Sequence, residues 1–205
     1  MVNIKHNLIG ISGKISSGKD LAGKILNDLS GDIFENKKFA DKLKDMVCLF
    51  IGCTREQLED REFKEKELGE EWRQYFNDDY DLVCEKESTF SSLLTPRKLL
   101  QLLGTEAGRQ VIHNNIWVNA LFADYDTSSN YDSNWIITDV RFPNECQAIK
   151  DRGGIVIKIN RDSDVVDNHS SETALDNYDG FDFVVDNNGS IDDLTNNLIK
   201  IINND

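Results

Sequence analysis

Apolar residues gather in five short runs, Asn7–Ser12, Ile33–Ala40, Trp135–Asp139, Ile155–Asn160 and Phe181–Asp186. Each has the length of a strand and is bounded by turn residues. Ile33–Ala40 is the weakest, because charged residues interrupt it. Between the runs the spacing of apolar positions changes to that of helices. Leu21, Ala22, Ile25, Leu26 and Leu29 fall on one face of a helix over Lys19–Leu29, and Asp41–Ile51 continues the pattern. Thr54-Arg55-Glu56-Gln57 is a capping box. Thr95-Pro96 and Pro143 place helix starts ahead of Leu99 and Cys146, and Ser190 opens an amphipathic helix through Leu194, Leu198 and Ile201. Strands alternating with helices predict an α/β fold on a parallel sheet.

Two stretches stand outside the alternation. Arg55–Ser92 is dense in interleaved Glu and Lys, and Glu56–Asp81 reads best as a solvated surface insertion. Arg161–Ser171 is a polar loop following a strand, where α/β enzymes tend to hold substrates.

The chain has 205 residues, room for one domain with a small insertion, and 23 basic against 37 acidic residues give a net charge of −14. Such a surface repels nucleic acid and anionic lipid, but it tolerates a small phosphorylated ligand if the cations are gathered in one place. No apolar run is long enough to cross a bilayer, and no secretory signal is visible at the N-terminus. Cys48, Cys53, Cys84 and Cys146 have no zinc spacing and fit a reduced, cytoplasmic setting.

Gly13-Lys14-Ile15-Ser16-Ser17-Gly18-Lys19-Asp20 follows the first strand and opens the first helix. It matches the phosphate loop G-x-x-x-x-G-K, with Asp20 where a hydroxyl is usual. Glycines let the backbone wrap a phosphate, successive N–H groups and the helix N-terminus supply positive potential, and Lys19 adds a full charge. Asp20 reads as a Mg²⁺-side ligand or as a helix cap. Trp135–Asp139 ends in a second carboxylate, at the place where a P-loop enzyme orders Mg²⁺, and Arg141 follows two residues later.

Five motifs then stand in the order found in the bacteriophage-type deoxynucleoside monophosphate kinases. They are Gly13–Asp20, Phe39-Ala40-Asp41, Pro96–Glu106, Asp139-Val140-Arg141-Phe142-Pro143-Asn144-Glu145 and His169-Ser170-Ser171-Glu172. The chain resembles that family from about residue 7 onward, apart from the charged stretch. The resemblance implies a P-loop kinase fold with a five-stranded parallel sheet in the order 2-3-1-4-5. It implies one domain over 1–205, with a helical acceptor-binding insertion at about 54–125 and a lid at about 161–171. It implies transfer of the γ-phosphoryl group of ATP to a dNMP with Mg²⁺.

In family terms Gly13, Lys14, Ser16, Ser17, Gly18, Lys19 and Asp20 serve ATP, with Asp20 and Asp139 toward the metal. Arg97, Lys98, Gln101, Gly104, Thr105 and Trp117 serve the acceptor, and Asp139, Arg141 and Glu145 stand between the two. Lys19, Arg141, Asp139 and Arg161 form the catalytic set. Leu21 departs from the family, which often carries Thr there. The partners implied are small nucleotides, with no nucleic acid and no membrane. A homodimer is compatible, and the setting is the cytoplasm, that of the host if the gene is a phage's.

The residues agree with this on their own terms. Arg97, Lys98 and Gln101 open one helix, whose N-terminus and two cations suit a monophosphate. Trp117 reads equally as a base-stacking platform and as core. His6 and His113 point to no chemistry, and His169 reads as a cap for the helix near Ser171 or as a contact with nucleotide. Two alternatives carry the same loop: a kinase for another small acceptor, of the dephospho-coenzyme A or phosphomevalonate type, and a nucleotide-dependent switch without transfer.

Overall fold

The computed structural model describes residues 5–127, 134–162 and 170–203. Their contacts divide the chain into two compact units: the segments up to Phe39 and from Val118 onward form one, and Ala40–Trp117 the other. The second unit thus starts and ends earlier than the insertion expected at about 54–125.

The first unit is built on β1 (Leu8–Ser12), β2 (Glu35–Lys37), β5 (Trp135–Val140), β6 (Ile155–Asn160) and β7 (Phe183–Asp186). All pair in parallel, in the order β2-β5-β1-β6-β7. Numbered within the sheet, that order is the expected 2-3-1-4-5. β1 is central, with Ile9 opposite Ile136 on one side and Ile155 on the other. All five of its residues are buried, as a parallel strand covered on both faces requires.

Helix α1 (Lys19–Ser30) lays Ala22, Ile25 and Leu26 on this sheet, and α9 (Ile191–Asn203) adds Leu194, Leu198, Ile201 and Ile202 to the same cluster. Each of the Leu and Ile side chains contributes about 1.5–3 kcal/mol of burial. The weak run Ile33–Ala40 shortens to the three residues of β2, because Ile33 is 51% exposed and Glu35 and Asn36 also face solvent. A short charged strand is what an unpaired sheet edge tolerates.

In the second unit α2 (Asp41–Ile51), α3 (Arg55–Glu59), α4 (Arg61–Glu65) and α5 (Pro96–Gln101) pack together. Leu43, Val47, Leu58, Leu94, Leu99 and Trp117 are among its buried apolar residues. The Thr54 capping box forms in both directions, Gln57 N donating to Thr54 Oγ1 at 3.2 Å and Thr54 N to Gln57 Oε1 at 2.9 Å. The charged stretch is solvated along most of its length, with Leu58 its one buried residue, and has regular structure of its own. It holds α3, α4 and an antiparallel hairpin of β3 (Arg73–Phe76) and β4 (Phe90–Leu93), with Phe76 stacked on Phe90 at 5.3 Å. Four-residue strands joined by a long acidic connection carry no local periodicity to announce them.

Past α5 the helix continues as a π-helix over Leu102–Ile112. Sequence periodicity predicts the helix but not its wider turn. Gly104 and Gly108 are buried within it. A Cβ on Gly108 would lie 2.5 Å from Leu103 O and 3.0 Å from the Trp117 ring, so only glycine fits there. π-helical turns are rare and collect at functional sites.

Candidate functional site

The phosphate loop leaves β1 at Ser12 and enters α1 at Lys19. Gly18 adopts φ +95° and Ser16 φ +62°. The left-handed region is open to glycine and strained for serine. A Cβ on Gly13 would stand 2.5 Å from both Ile159 O and Ser17 Oγ. Lys19 folds back over the loop, its Nζ donating to Gly13 O at 2.8 Å and Lys14 O at 2.7 Å. Ser17 is 1% exposed, and its Oγ has no hydrogen-bond partner among the described residues. A buried hydroxyl without a partner is costly unless something else engages it.

The two carboxylates expected on the metal side both lie in this unit. Asp20 Oδ1 accepts from Thr138 Oγ1 at 2.7 Å and pairs with Lys38 Nζ at 3.0 Å. Partial desolvation raises the Asp20 carboxyl, but the hydrogen bonds from Thr138 and Lys38 outweigh it and leave it below the ordinary value. Asp139 Oδ1 accepts from the Phe39 backbone N–H at 2.8 Å. Asp139 thereby fixes the chain at Phe39, the start of the Phe39-Ala40-Asp41 motif. Asp20, Asp139 and the Ser17 hydroxyl are hard oxygen donors of the kind Mg²⁺ takes.

Arg141 follows β5 and is held in two ways. Glu145, 1% exposed in α7 (Pro143–Lys150), reaches back to accept from the Arg141 and Phe142 N–H groups at 2.7 and 3.1 Å. The Arg141 guanidinium pairs with Glu172, and Lys14 with Asp176 and with the Glu172 carbonyl at 2.7 Å. Lys14, Arg141, Glu172 and Asp176 line an open pocket together with Gly13 and Lys158. Burial first, then the charge of Arg141, lowers the Lys19 ammonium from 10.5 to about 8. Lys14, Lys19, Lys38 and Arg141 thus gather at the phosphate loop of a protein of net charge −14, with Lys14, Lys38 and Arg141 each set beside a carboxylate.

The expected acceptor residues lie in the second unit, and each is described there alone. Arg97 pairs with Glu65, and Thr95 caps α5 by accepting from Lys98 N at 3.1 Å. Lys98 is exposed, while Gln101 and Thr105 are half-buried. Trp117 is 5% exposed and its Nε1 donates to Gly104 O at 2.8 Å. In this conformation its indole belongs to the core, the second of its two sequence readings. Trp117→Phe is expected to destabilise the protein by about 1 kcal/mol through the lost hydrogen bond to the Gly104 carbonyl, measurable as a lower denaturant midpoint. An unchanged midpoint would mean that the bond contributes nothing.

Arg161 is exposed beyond β6, and residues 163–169 of the expected lid, His169 included, lie outside the described residues. Four side chains that sequence reasoning passed over belong to the site. Lys38 and Thr138 flank Asp20, Glu172 pairs with Arg141, and Asn187 donates to Ser17 O. Glu172 stands in the His169-Ser170-Ser171-Glu172 motif and Thr138 precedes Asp139, so both lie beside a signal; Lys38 and Asn187 have none.

A phosphate loop between the first strand and first helix of a 2-3-1-4-5 sheet, with a carboxylate at the end of the neighbouring strand β5, defines a P-loop protein of the nucleotide-kinase type. The sequence model of the deoxynucleotide monophosphate kinase family matches residues 69–198. The deoxynucleoside-5'-monophosphate kinase of Escherichia phage T5 is 27% identical over 181 residues, 70% of this chain and 72% of that protein. A relative from Acanthamoeba polyphaga mimivirus is 31% identical over 207 residues, 96% of each chain. The chain belongs to the deoxynucleotide monophosphate kinase family. Among solved structures, the dephospho-CoA kinase from Campylobacter jejuni aligns over 96% of both chains with a TM-score of 0.47 and 15% identity. No helix among the described residues is long and apolar enough to cross a membrane.

Proposed function

We propose that this protein transfers the γ-phosphoryl group of ATP to the phosphate of a deoxynucleoside monophosphate, giving dNDP and ADP. Family membership supports the activity. The observation that carries it to the site is that Lys14 and Arg141 line one pocket with Gly13 of the phosphate loop, while Lys19 lies within reach of the Arg141 charge. An acceptor oxygen attacks the γ-phosphorus in line while the bond to the β-phosphate oxygen breaks, so ADP leaves opposite the attacking group. A phosphate monoester with a second pKa near 6 is already largely dianionic at pH 7, and no strong general base is required.

The protein's task is positioning and neutralisation of charge. Lys19 and Arg141 carry the neutralisation, Arg161 at the root of the lid joins them, and Glu145 holds the backbone that presents Arg141. Arg97, Lys98, Gln101, Gly104 and Thr105 form the acceptor side, the first two through charge, and Trp117 supports it from the core through its bond to Gly104 O. Asp20, Asp139 and the Ser17 hydroxyl would hold Mg²⁺, which when bound neutralises phosphate oxygens. The setting is the cytoplasm.

The test is ADP formation from ATP and Mg²⁺ with dTMP, dGMP, dCMP, dAMP and the matching ribonucleotides as acceptors. Turnover with at least one dNMP is the expected result, and the pattern gives the base range. Silence across the panel from a protein that binds ATP would overturn the reading in favour of another acceptor or a switch.

A further inference from the structure

The chain leaves β7 through Asp186-Asn187-Asn188-Gly189. Asn187 is 7% exposed. Its backbone N–H donates to Asn160 O at 2.7 Å, and its side-chain Nδ2 donates to Ser17 O at 2.8 Å, a contact between residues 170 apart in sequence. A Cβ on Gly18 would stand 2.5 Å from the same Nδ2, so the amide rests on the bare Cα of Gly18. Asn188 faces elsewhere, accepting from Asp162 N at 2.9 Å and donating to Asp186 Oδ1 at 3.0 Å.

The Ser17 carbonyl and the Gly18 N–H belong to one peptide unit. In a trans peptide the two point to opposite sides. Holding Ser17 O against Asn187 therefore turns the Gly18 N–H to the opposite face, and a hydrogen bond at the carbonyl polarises that N–H further. Backbone N–H groups are the anion donors of a glycine-rich loop. The loop needs such a hold, because Ser16 sits at positive φ, a conformation a serine does not keep unaided.

We propose that Asn187 is a positioning residue for the phosphates of ATP: its buried amide orients the Ser17–Gly18 peptide so that the Gly18 N–H faces the polyphosphate chain. This rests on reading Gly13–Asp20 as the ATP phosphate loop, and it adds the far end of β7 to that loop's working parts.

The probe is inorganic tripolyphosphate, which has the charge of the nucleotide's phosphates and no base. Calorimetric titration with tripolyphosphate and with ATP compares the unmutated protein with Asn187→Ala, Asn187→Asp, Asn188→Ala and Lys19→Ala. Asn187→Ala is expected to weaken both ligands by a similar factor, about tenfold, and Asn187→Asp by more, since it keeps the shape and turns the donor into an anion. The KM for the dNMP stays within about twofold in folded Asn187 variants, and Asn188→Ala leaves tripolyphosphate binding unchanged. A role limited to stability would lower the melting temperature and the active fraction without moving the Kd of the folded protein.

Unchanged tripolyphosphate affinity in folded Asn187→Ala overturns the inference. So does a loss seen with ATP alone, which would assign the residue to the base. If Lys19→Ala leaves tripolyphosphate binding intact, the phosphate-loop reading itself falls. If neither Asn187 variant folds, the Gly18 amide resonance of the unmutated protein decides: it must shift on adding tripolyphosphate, and a stationary resonance overturns the proposal.

Discussion

Replacing Lys19 with methionine is expected to give a protein that is more stable and catalytically inert. Burial and the neighbouring Arg141 lower this ammonium from 10.5 to about 8, so the folded protein holds a charge that the unfolded chain solvates more easily. Methionine keeps the apolar stem and removes the charge. At pH 7 the variant is expected to gain about 1–3 kcal/mol, less whatever the lost bonds to Gly13 O and Lys14 O contributed. For a chain of this size that corresponds to a rise of several degrees in Tm, at roughly 2–4 °C per kcal/mol.

The sign of the pH dependence follows from the same values. Below about pH 8 Lys19 is protonated both folded and unfolded, and the difference between the two proteins is constant. Between about 8 and 10.5 the unfolded chain holds more protons than the folded one, so the unmutated protein gains stability as pH rises and the gap closes. Activity moves the other way, with kcat expected to fall more than about a hundredfold. Thermal unfolding at pH 7 and pH 10 beside a coupled ADP assay checks both halves. A lower Tm for the variant at pH 7 would contradict the stability argument, and retained turnover would contradict the catalytic role.

The second large effect concerns Arg141 and its partner Glu172. The Glu172 side chain is 8% exposed and the Arg141 side chain 31%. Arg141→Ala removes the cation proposed for phosphate neutralisation and also strands a nearly buried carboxylate. It is expected to lower kcat more than about a hundredfold and to destabilise the fold by about 3 kcal/mol. Adding Glu172→Gln to that variant removes the stranded charge. The double variant should therefore recover much of the stability and none of the activity. A double-mutant cycle by urea unfolding is expected to give a coupling of about 1–3 kcal/mol. Additive changes would show that the pair is not coupled, and a fully active Arg141→Ala protein would remove Arg141 from the mechanism.

The elements legible in the sequence are those set by neighbours along the chain. The runs at Trp135 and Ile155 match β5 and β6 nearly to the residue, because a strand covered on both faces carries a near-continuous apolar run, here Trp135–Ile137 and Ile155–Ile157. The caps at Thr54 and Thr95 formed as read, since an N-cap is a bond between residues three apart. The phosphate loop could be placed before any coordinates, because its glycines answer to local backbone geometry. The acceptor motif named a helix correctly and missed its π turn, which depends on how Gly104 and Gly108 pack. Trp117 could not be assigned from Ile116-Trp117-Val118 alone; the Gly104 carbonyl, thirteen residues earlier, takes its N–H.

The sequence by itself therefore determined the alternation of strands and helices, the phosphate loop, and the motifs that give the family. Only the tertiary structure decided that Glu172 holds Arg141, that Thr138 and Lys38 hold Asp20, and that Asn187 reaches the loop from the far end of β7. Periodicity, caps and glycine turns are interactions over a few residues and leave a pattern in the chain. A hydrogen bond across 170 residues exists only because β1 and β7 end on the same side of one parallel sheet, and nothing in the local sequence of either partner records it.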